Sequence, residues 1–241
     1  MANQSRIIKV QDKARPTKQK QTSPALSTDV VRSVPSNMSV STKELIARTP
    51  VISDFSQDIL DRYALSGYVW QYPQHITYTY LNFNKEQTSM AETEIQAVND
   101  LGLVHLIKTA DPNKANITFA MSNHYEEDAT ENDIKYLLGV THNTYITNSN
   151  VKSLCYFGTV NIHLEQDNLA DYANNYEVMF KHVFVHELGH GLGLKHLPDS
   201  ADKALIMYPT SDIDKIGRTD VNEIDIDQAF ISSLAVLYLN Y

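Results

Sequence analysis

The stretch that decides the fold reads HELGHGLGLKH, from His186 to His196. His186 and His190 are four residues apart, so on a helix they stand on one face, about 6 Å apart along the axis. Both imidazoles can then reach one zinc ion at about 2.0–2.1 Å. Glu187 is rotated by about 100° from His186 and can hold a water molecule beside that ion, as a general base must.

His196 is the third candidate ligand, and a continuing helix would carry it away from the other two. Six further residues rise about 9 Å and turn the side chain to the far side. Gly193 can end the helix and reverse the chain, because glycine adopts a positive φ without steric cost. Three neutral imidazoles leave a fourth coordination position open, which is typical of catalytic rather than structural zinc sites.

His182 competes for this role because it is also four residues from His186. It would lie about 12 Å from His190, too far to share one ion. We therefore interpret His182 as a hydrogen-bonded histidine packed behind the site. The residues from Val178 to Leu188 are apolar around most of the helix, which predicts a buried helix that starts after Asn174-Asn175.

Other segments predict a domain of mixed secondary structure around this helix. Alternating β-branched and aromatic residues predict strands at Ile76–Phe83, Ala115–Met121, Leu137–Tyr145 and Gly158–Leu164. Thr88 or Ser89 is expected to cap a second helix, with Glu92 as the capping-box partner of Ser89. A last helix is expected over Glu223–Leu239, and Val104–Lys108 fits either the end of the second helix or a strand.

Composition excludes several classes of protein. The chain has 241 residues, 42% hydrophobic and 20% charged, as in ordinary globular domains. Its net charge of −9 argues against a nucleic-acid binder. Because no run of about 18 apolar residues occurs, we expect no transmembrane segment. The single cysteine, Cys155, excludes an intrachain disulfide and a CxxC metal site.

The first fifty residues differ from the rest in charge. Residues 1–50 contain nine Lys/Arg and three Asp/Glu, without a sustained apolar period. We expect a disordered basic arm there, either a linker, a propeptide-like segment or a solvated tail, followed by a catalytic domain over residues 51–241. No secretory apolar region follows the first basic residues, so we expect that the protein stays inside the cell or that its leader was removed.

With these residues in view, the sequence resembles the metzincin clan of zinc endopeptidases, and within it the matrixin and serralysin group. The resemblance covers most of residues 60–241 and includes the whole HExxHxxGxxH pattern. The segment Ala204–Pro209 is similar to the Met-turn of the clan, which places Met207 beneath the metal. Pro209 stands where serralysins have a tyrosine ligand, so no such ligand is expected.

The resemblance implies an α+β, zincin-like fold with a twisted mixed sheet of five strands and three main helices. Tyr63–Trp70 with Ile76–Tyr80 is similar to the start of serralysin-like domains, and Asp225–Phe230 to the final helix of the group. By the same analogy, Leu138–Tyr145 would be the edge strand that binds a protein or peptide substrate in extended form.

The chain also departs from these families. It has neither the calcium repeats of serralysins nor the propeller of many matrixins, and no cysteine precedes the domain to block the zinc. We expect Cys155 to be a small packed residue. A second, structural zinc is left open at His124, His142 and His163 with Glu126, Glu127 or Asp128, as is Ca²⁺ at loop 126–133.

The sequence thus predicts a monomeric zinc metalloendopeptidase with ligands His186, His190 and His196, the general base Glu187, and support from Gly193 and Met207. By resemblance we expect it to be secreted or at the cell surface. Two alternatives stay open, namely a non-catalytic zinc-stabilised binding or adhesion module and a zinc hydrolase of small peptides. Thr210-Ser211-Asp212, after Pro209, does not reveal the substrate pocket.

Overall fold

A computed structural model describes residues 40–122, 138–171, 176–198, 200–202, 205–209 and 226–241. In these parts the α-helices are α1 (Val40–Ala47), α2 (Gln57–Arg62), α3 (Lys85–Asp100), α4 (Gln166–Ala170), α5 (Tyr176–Gly191) and α6 (Gln228–Asn240). The strands are β1 (Tyr68–Val69), β2 (Ile76–Leu81), β3 (Leu106–Lys108), β4 (Ile117–Ser122), β5 (Gly139–Val151) and β6 (Leu154–Glu165). The mixture of helices and strands confirms the predicted α+β class.

The strands form one mixed sheet in the order β1-β6-β4-β2-β3, with β5 along the other edge of β6. The pairs β2/β3, β2/β4, β4/β6 and β1/β6 are parallel, and β5/β6 is antiparallel. Within the described residues β5 has β6 as its one neighbour, and no described strand pairs with its outer edge. The described sheet has six strands, one more than the five that the resemblance implies, and the two-residue strand β1 matches no strand predicted from the sequence pattern.

The core lies between this sheet and the two 16-residue helices, α3 and α5. Phe119 of β4 stacks on Phe184 of α5 with ring centroids 4.6 Å apart, and both rings are fully buried. Val160 and Ile162 of β6 face the same helix, where a Cβ atom at Gly191 would lie 3.2 and 3.3 Å from their methyl groups. Helix α5 is therefore pressed against the sheet along its length, as its apolar circumference predicts.

Helix α3 begins earlier than the sequence pattern indicated. The side chain of Asn84 accepts a hydrogen bond from the Gln87 amide at 2.9 Å, and the Gln87 side chain accepts one from the Asn84 amide at the same distance. This capping box uses Asn and Gln, so the predicted cap at Thr88 or Ser89 with Glu92 is wrong. Those residues lie inside the helix.

The folded domain also begins earlier than residue 51. Ile46 of α1 is fully buried, and α1 packs against α6. The Asn240 side chain accepts a hydrogen bond from the Ile52 amide at 2.7 Å and donates one to the Pro50 carbonyl at 3.0 Å. Helix α1 therefore begins eleven residues before the predicted boundary, because contacts with the far end of the chain order a segment of weak local pattern. Residues 1–39 lie outside the described part.

Among the described helices, none has both the length and the apolar character needed to cross a bilayer.

Candidate metal centre

Helix α5 presents the two spaced histidines on one face and then stops. The amide of Leu194 donates to the Gly189 carbonyl at 2.9 Å, and the amide of Gly193 donates to the His190 carbonyl at 3.1 Å. Gly193 has a φ of +98°. Together these bonds form a Schellman motif, in which the residue after the cap must adopt a left-handed conformation. The chain reverses here and brings His196 back toward the helix.

Gly193 is required sterically as well as conformationally. A Cβ atom at this position would lie 2.5 Å from the Tyr68 carbonyl oxygen and 2.8 Å from a methyl group of Leu237. The returning chain is held by hydrogen bonds from the Ser66 amide to the Gly193 carbonyl and from the Lys195 amide to the Ala64 carbonyl, at 2.8 and 2.7 Å. These two hydrogen bonds hold the turn against the segment before β1.

The structure brings the three predicted histidines together. Their Nε2 atoms form a nearly equilateral triangle, with 3.2 Å between His186 and His190 and 3.1 Å from each of these to His196. In a tetrahedral zinc site with Zn–N bonds of about 2.05 Å, adjacent nitrogens are about 3.3 Å apart. The triangle therefore fits a single ion of this size.

The hydrogen bonds of the imidazoles leave the converging nitrogens free to bind a cation. His186 Nδ1 lies 2.6 Å from the Ile206 carbonyl oxygen, and His190 Nδ1 lies 3.0 Å from that of Leu194. A carbonyl can only accept, so both Nδ1 atoms carry the proton and both Nε2 atoms carry a lone pair. Two facing lone pairs at 3.2 Å repel one another, and a shared cation removes that repulsion.

Burial keeps His186 in the neutral form that a metal ligand needs. The residue is 7% exposed, and burial lowers its pKa well below the usual value, reinforced by the neighbouring His190 and opposed by the bond to Ile206. His196, by contrast, is exposed. The site therefore has a rigid buried side on the helix and an open side at the returning chain.

Glu187 lies against strand β5. Its Oε2 atom accepts a hydrogen bond from the Thr141 hydroxyl at 2.6 Å, and the same hydroxyl lies 3.0 Å from the Glu187 carbonyl oxygen. Burial raises the pKa of the Glu187 carboxyl, while His190 and the bond from Thr141 act in the opposite direction. A carboxylate with a raised pKa is suited to accept and return a proton.

Met207 lies in a turn that contacts both helix α5 and the returning chain. Its sulfur packs against Gly189, where there is no room for a Cβ atom. Its carbonyl accepts a hydrogen bond from the Leu197 amide at 2.8 Å. The carboxylate of Asp227 accepts from the Ile206 amide at 2.7 Å and from the Phe230 amide at 2.8 Å, so it joins this turn to the start of α6.

His182 is buried beside His186, as predicted. Its Nε2 atom has no hydrogen-bond partner among the described residues, since the surrounding helix face is apolar. Burial lowers the pKa of His182 to about 4, and Asp227 opposes this shift. A neutral imidazole is the form that an apolar environment favours.

Of the other predicted site residues, three are described and the rest lie outside the described part. His142 of β5 and His163 of β6 come together, with ring centroids 6.0 Å apart. Cys155 is a free, partly buried thiol in β6. Several predictions concern residues outside the described part, namely those for His124, Glu126, Glu127, Asp128, loop 126–133, Asn174-Asn175, Ala204, Thr210-Ser211-Asp212, Glu223 and Asp225.

Sequence reasoning missed three residues that support the site: Gly139 and Thr141, which lie against Glu187, and Asp227, which holds the Ile206 amide. Alternation along Leu138–Tyr145 does place Gly139 and Thr141 on one face of a strand, since side chains repeat every two residues. It does not show that this face meets Glu187, 46 residues away. Asp227 could have been recognised as a helix cap, but its second bond, to Ile206, has no local signal.

Two imidazoles and a buried carboxylate on one helix, a third imidazole on the chain that returns to it, and a mixed sheet behind them are the arrangement typical of zincin-type metal-dependent hydrolases. The matrixin family model (Peptidase M10) matches residues 69–234, more than half of the chain and all of the site described above. The chain therefore belongs to the matrixin family, a family of zinc metallopeptidases, and the predicted resemblance is confirmed. A comparison with curated proteins found no match.

Proposed function

We propose that the protein is a zinc metalloendopeptidase, with His186, His190 and His196 as the metal ligands and Glu187 as the general base. The observation that carries this proposal is the triangle of Nε2 atoms with the buried carboxylate of the adjacent residue. A purely structural site needs a fourth protein ligand and has no use for a carboxylate in that position. Membership of the matrixin family supports zinc as the metal.

When bound, zinc supplies a Lewis acid that polarises the scissile carbonyl and lowers the pKa of a water molecule. Glu187 would take a proton from the attacking water as the water oxygen bonds to the carbonyl carbon, and would deliver it to the leaving amine as the C–N bond breaks. The pKa of this carboxyl, raised by burial, favours holding the proton between the two steps. His186 is kept in orientation by its bond to Ile206, and His190 by its bond to Leu194.

We further propose that the turn around Met207 is the Met-turn of the family. It forms a buried base, since Ile206, Met207 and Tyr208 are all at most 7% exposed. Its Ile206 carbonyl orients the His186 ring, which gives the turn a direct influence on the geometry of the ligands.

The substrate in this proposal is a protein or peptide bound as an extended strand along β5. The amide of Glu165 donates to the Leu138 carbonyl at 2.9 Å, so Leu138 and Glu165 form a hydrogen-bonded pair of the antiparallel ladder. Hydrogen-bonded and non-bonded pairs alternate, so the backbone groups of Gly139 and Thr141 face away from β6. They are available to pair with a substrate strand beside the metal centre.

Three further parts of the proposal have narrower support. His142 and His163 would be two ligands of a structural zinc, because their rings are adjacent on paired strands. We propose a monomer, and a secreted or cell-surface location in keeping with the family. No described group points to calcium, and metal analysis of the purified protein would decide among these ions.

The test compares the wild type with Glu187→Ala and with the control Glu177→Ala. Glu177 lies on the same helix, where its exposed carboxylate pairs with the largely buried Lys181. We expect the wild type to cleave peptides with both termini blocked, and Glu187→Ala to lose activity by about 10³-fold or more with zinc still bound. Glu177→Ala should stay close to wild type.

The outcomes separate the two alternatives. No cleavage in a broad peptide library, with stoichiometric zinc, would favour a binding module. Cleavage confined to short peptides with free termini would favour a hydrolase of small peptides. Undiminished activity of Glu187→Ala would refute the role of the base.

A further inference from the structure

Two residues of strand β5 lie against the carboxylate of Glu187. Gly139 and Thr141 are two positions apart, so they face the same side of the sheet, toward helix α5. The Thr141 hydroxyl donates to Glu187 Oε2 at 2.6 Å. A Cβ atom at Gly139 would lie 2.8 Å from Glu187 Cγ and 3.1 Å from Oε1, so the absence of a side chain there makes room for the carboxylate.

The Thr141 hydroxyl constrains Glu187 at two points. It lies within hydrogen-bonding distance of both the side-chain oxygen Oε2 and the backbone oxygen of the same residue, at 2.6 and 3.0 Å. The backbone oxygen is held in the helix, so the bond to Oε2 sets the side-chain conformation relative to the helix. Among the described residues none donates a hydrogen bond to Oε1, which leaves that oxygen available for a proton in transit.

The same two residues face the proposed substrate with their backbone. In the ladder of β5 and β6, the N–H and C=O groups of Gly139 and Thr141 point away from β6, toward the outer edge of β5, where no described strand pairs. If a peptide paired there, the backbone of Thr141 would bind the peptide while its side chain held Glu187. The distance between the carboxylate and a strand-bound substrate would then depend on this one side chain.

We propose that Thr141 is a positioning residue, which holds Glu187 at a set distance from a substrate paired with β5, and that Gly139 provides the space for it. This inference rests on the proposed function for its consequence in catalysis. The geometry alone carries the claim that the Thr141 hydroxyl determines the conformation of Glu187. The two parts are therefore testable separately.

The kinetic test uses Thr141→Val, Thr141→Ser and the control Thr144→Val. Valine keeps the shape and strand propensity of threonine but removes the hydroxyl. Thr144 is on the same strand, and its hydroxyl bonds Thr159 of β6 rather than Glu187. Each variant is compared with the wild type in kcat, KM, bound zinc and thermal midpoint.

We expect Thr141→Val to lower kcat by about 10²-fold, the cost of misplacing a catalytic group by about 1 Å, with KM, zinc content and thermal midpoint like those of Thr144→Val. Thr141→Ser should restore most of the loss, because it restores the donor. A kcat for Thr141→Val within about twofold of Thr144→Val would overturn the catalytic part of the inference.

A structural readout tests the same residue without any activity. In crystal structures of the metal-free proteins, the wild type and Thr141→Ser should show a single conformation of Glu187. Thr141→Val should show the Glu187 side chain rotated or in two alternate conformations. An unchanged Glu187 in Thr141→Val would overturn the inference even if activity fell. If the wild type cleaved no peptide, the proposed function would fail, while this readout would still decide the role of Thr141.

Discussion

The Nδ1 atom of His186 lies 2.6 Å from the carbonyl oxygen of Ile206, twenty residues further along the chain. This bond joins the site helix to the turn that contains Met207. The Ile206 amide is in turn held by Asp227, which also caps helix α6 through the Phe230 amide. The orientation of a metal ligand thus depends on a carboxylate that does not contact the metal centre, and such supporting groups influence metal affinity strongly.

Replacing Asp227 should therefore affect both stability and metal binding. Asp227→Ala removes a helix cap, which costs about 0.5–2 kcal/mol in the free energy of unfolding. It also frees the turn that orients His186, so zinc affinity should fall by about 10-fold or more. Denaturant unfolding of the metal-free protein and zinc titration against a competing chelator measure the two effects.

The matched control for Asp227 is Asn84→Ala, which removes the cap of α3 and makes no contact with the site. It should lower stability by a similar amount and leave zinc affinity unchanged. Equal loss of affinity in both variants would show that Asp227 acts through general stability alone.

Gly193 offers a second test of the turn that returns His196. Gly193→Ala forces an alanine into a φ of +98° and places its Cβ against the Tyr68 carbonyl. The backbone strain costs at least about 1 kcal/mol, and relief of the clash must move the chain that carries His196. We expect a lower thermal midpoint together with weaker zinc binding.

Gly67→Ala is the control for this strain. Gly67 has a φ of +85°, but its Cβ would meet one side-chain atom at an ordinary 3.5 Å. It should lose stability and keep its zinc affinity. Normal zinc affinity in Gly193→Ala would mean that the turn tolerates the displacement.

The contrast between these positions shows what the sequence could and could not reveal. His186, Glu187, His190 and the turn at Gly193 follow from helical geometry within eleven residues, so local pattern predicts their relation. The contacts of Thr141 with Glu187 and of Asp227 with Ile206 join elements far apart in the chain. Periodicity identifies the face of an element, but not the face that it meets.

The same reason explains the errors in the fold. Helix α1 has a weak local pattern and is ordered by the burial of Ile46 and by packing against α6, almost two hundred residues away. Strand β1 exists because Tyr68 and Val69 pair with β6, not because two residues prefer an extended conformation. The cap at Asn84 was local and could have been found, since Asn and Gln satisfy the capping-box pattern as Ser and Glu do.

Because His196 is exposed, replacing it should weaken zinc binding without a large effect on folding. In the metal-free protein, His196→Ala should change the free energy of unfolding by no more than about 0.5 kcal/mol. Zinc should raise the thermal midpoint of the wild type, since a ligand that binds the folded state stabilises it, and should raise that of His196→Ala much less. His75→Ala, at another exposed histidine, should respond to zinc like the wild type; an equal response in His196→Ala would remove His196 from the ligand set.

Glu94 predicts a pH dependence of stability away from the metal centre. This carboxyl is buried on α3, and burial raises its pKa to about 7, with Lys181 opposing the shift and Glu177 adding to it. Between its usual pKa of 4.5 and this value the folded state binds more protons than the unfolded state, so stability falls as the pH rises through that interval. The loss should approach about 3 kcal/mol at pH 8.

Glu94→Gln removes the ionisable group and keeps its shape. We expect the variant to be more stable than the wild type at pH 8, and the difference to shrink as the pH falls toward 5, because the wild-type carboxyl is then neutral in the folded state. Thermal or denaturant unfolding at a series of pH values measures the difference. Glu86→Gln, at an exposed position of the same helix, provides the matched loss of one charge. A difference for Glu94→Gln that is constant from pH 5 to pH 8 would show that the carboxyl is solvated and that α3 and α5 are not packed around it as described.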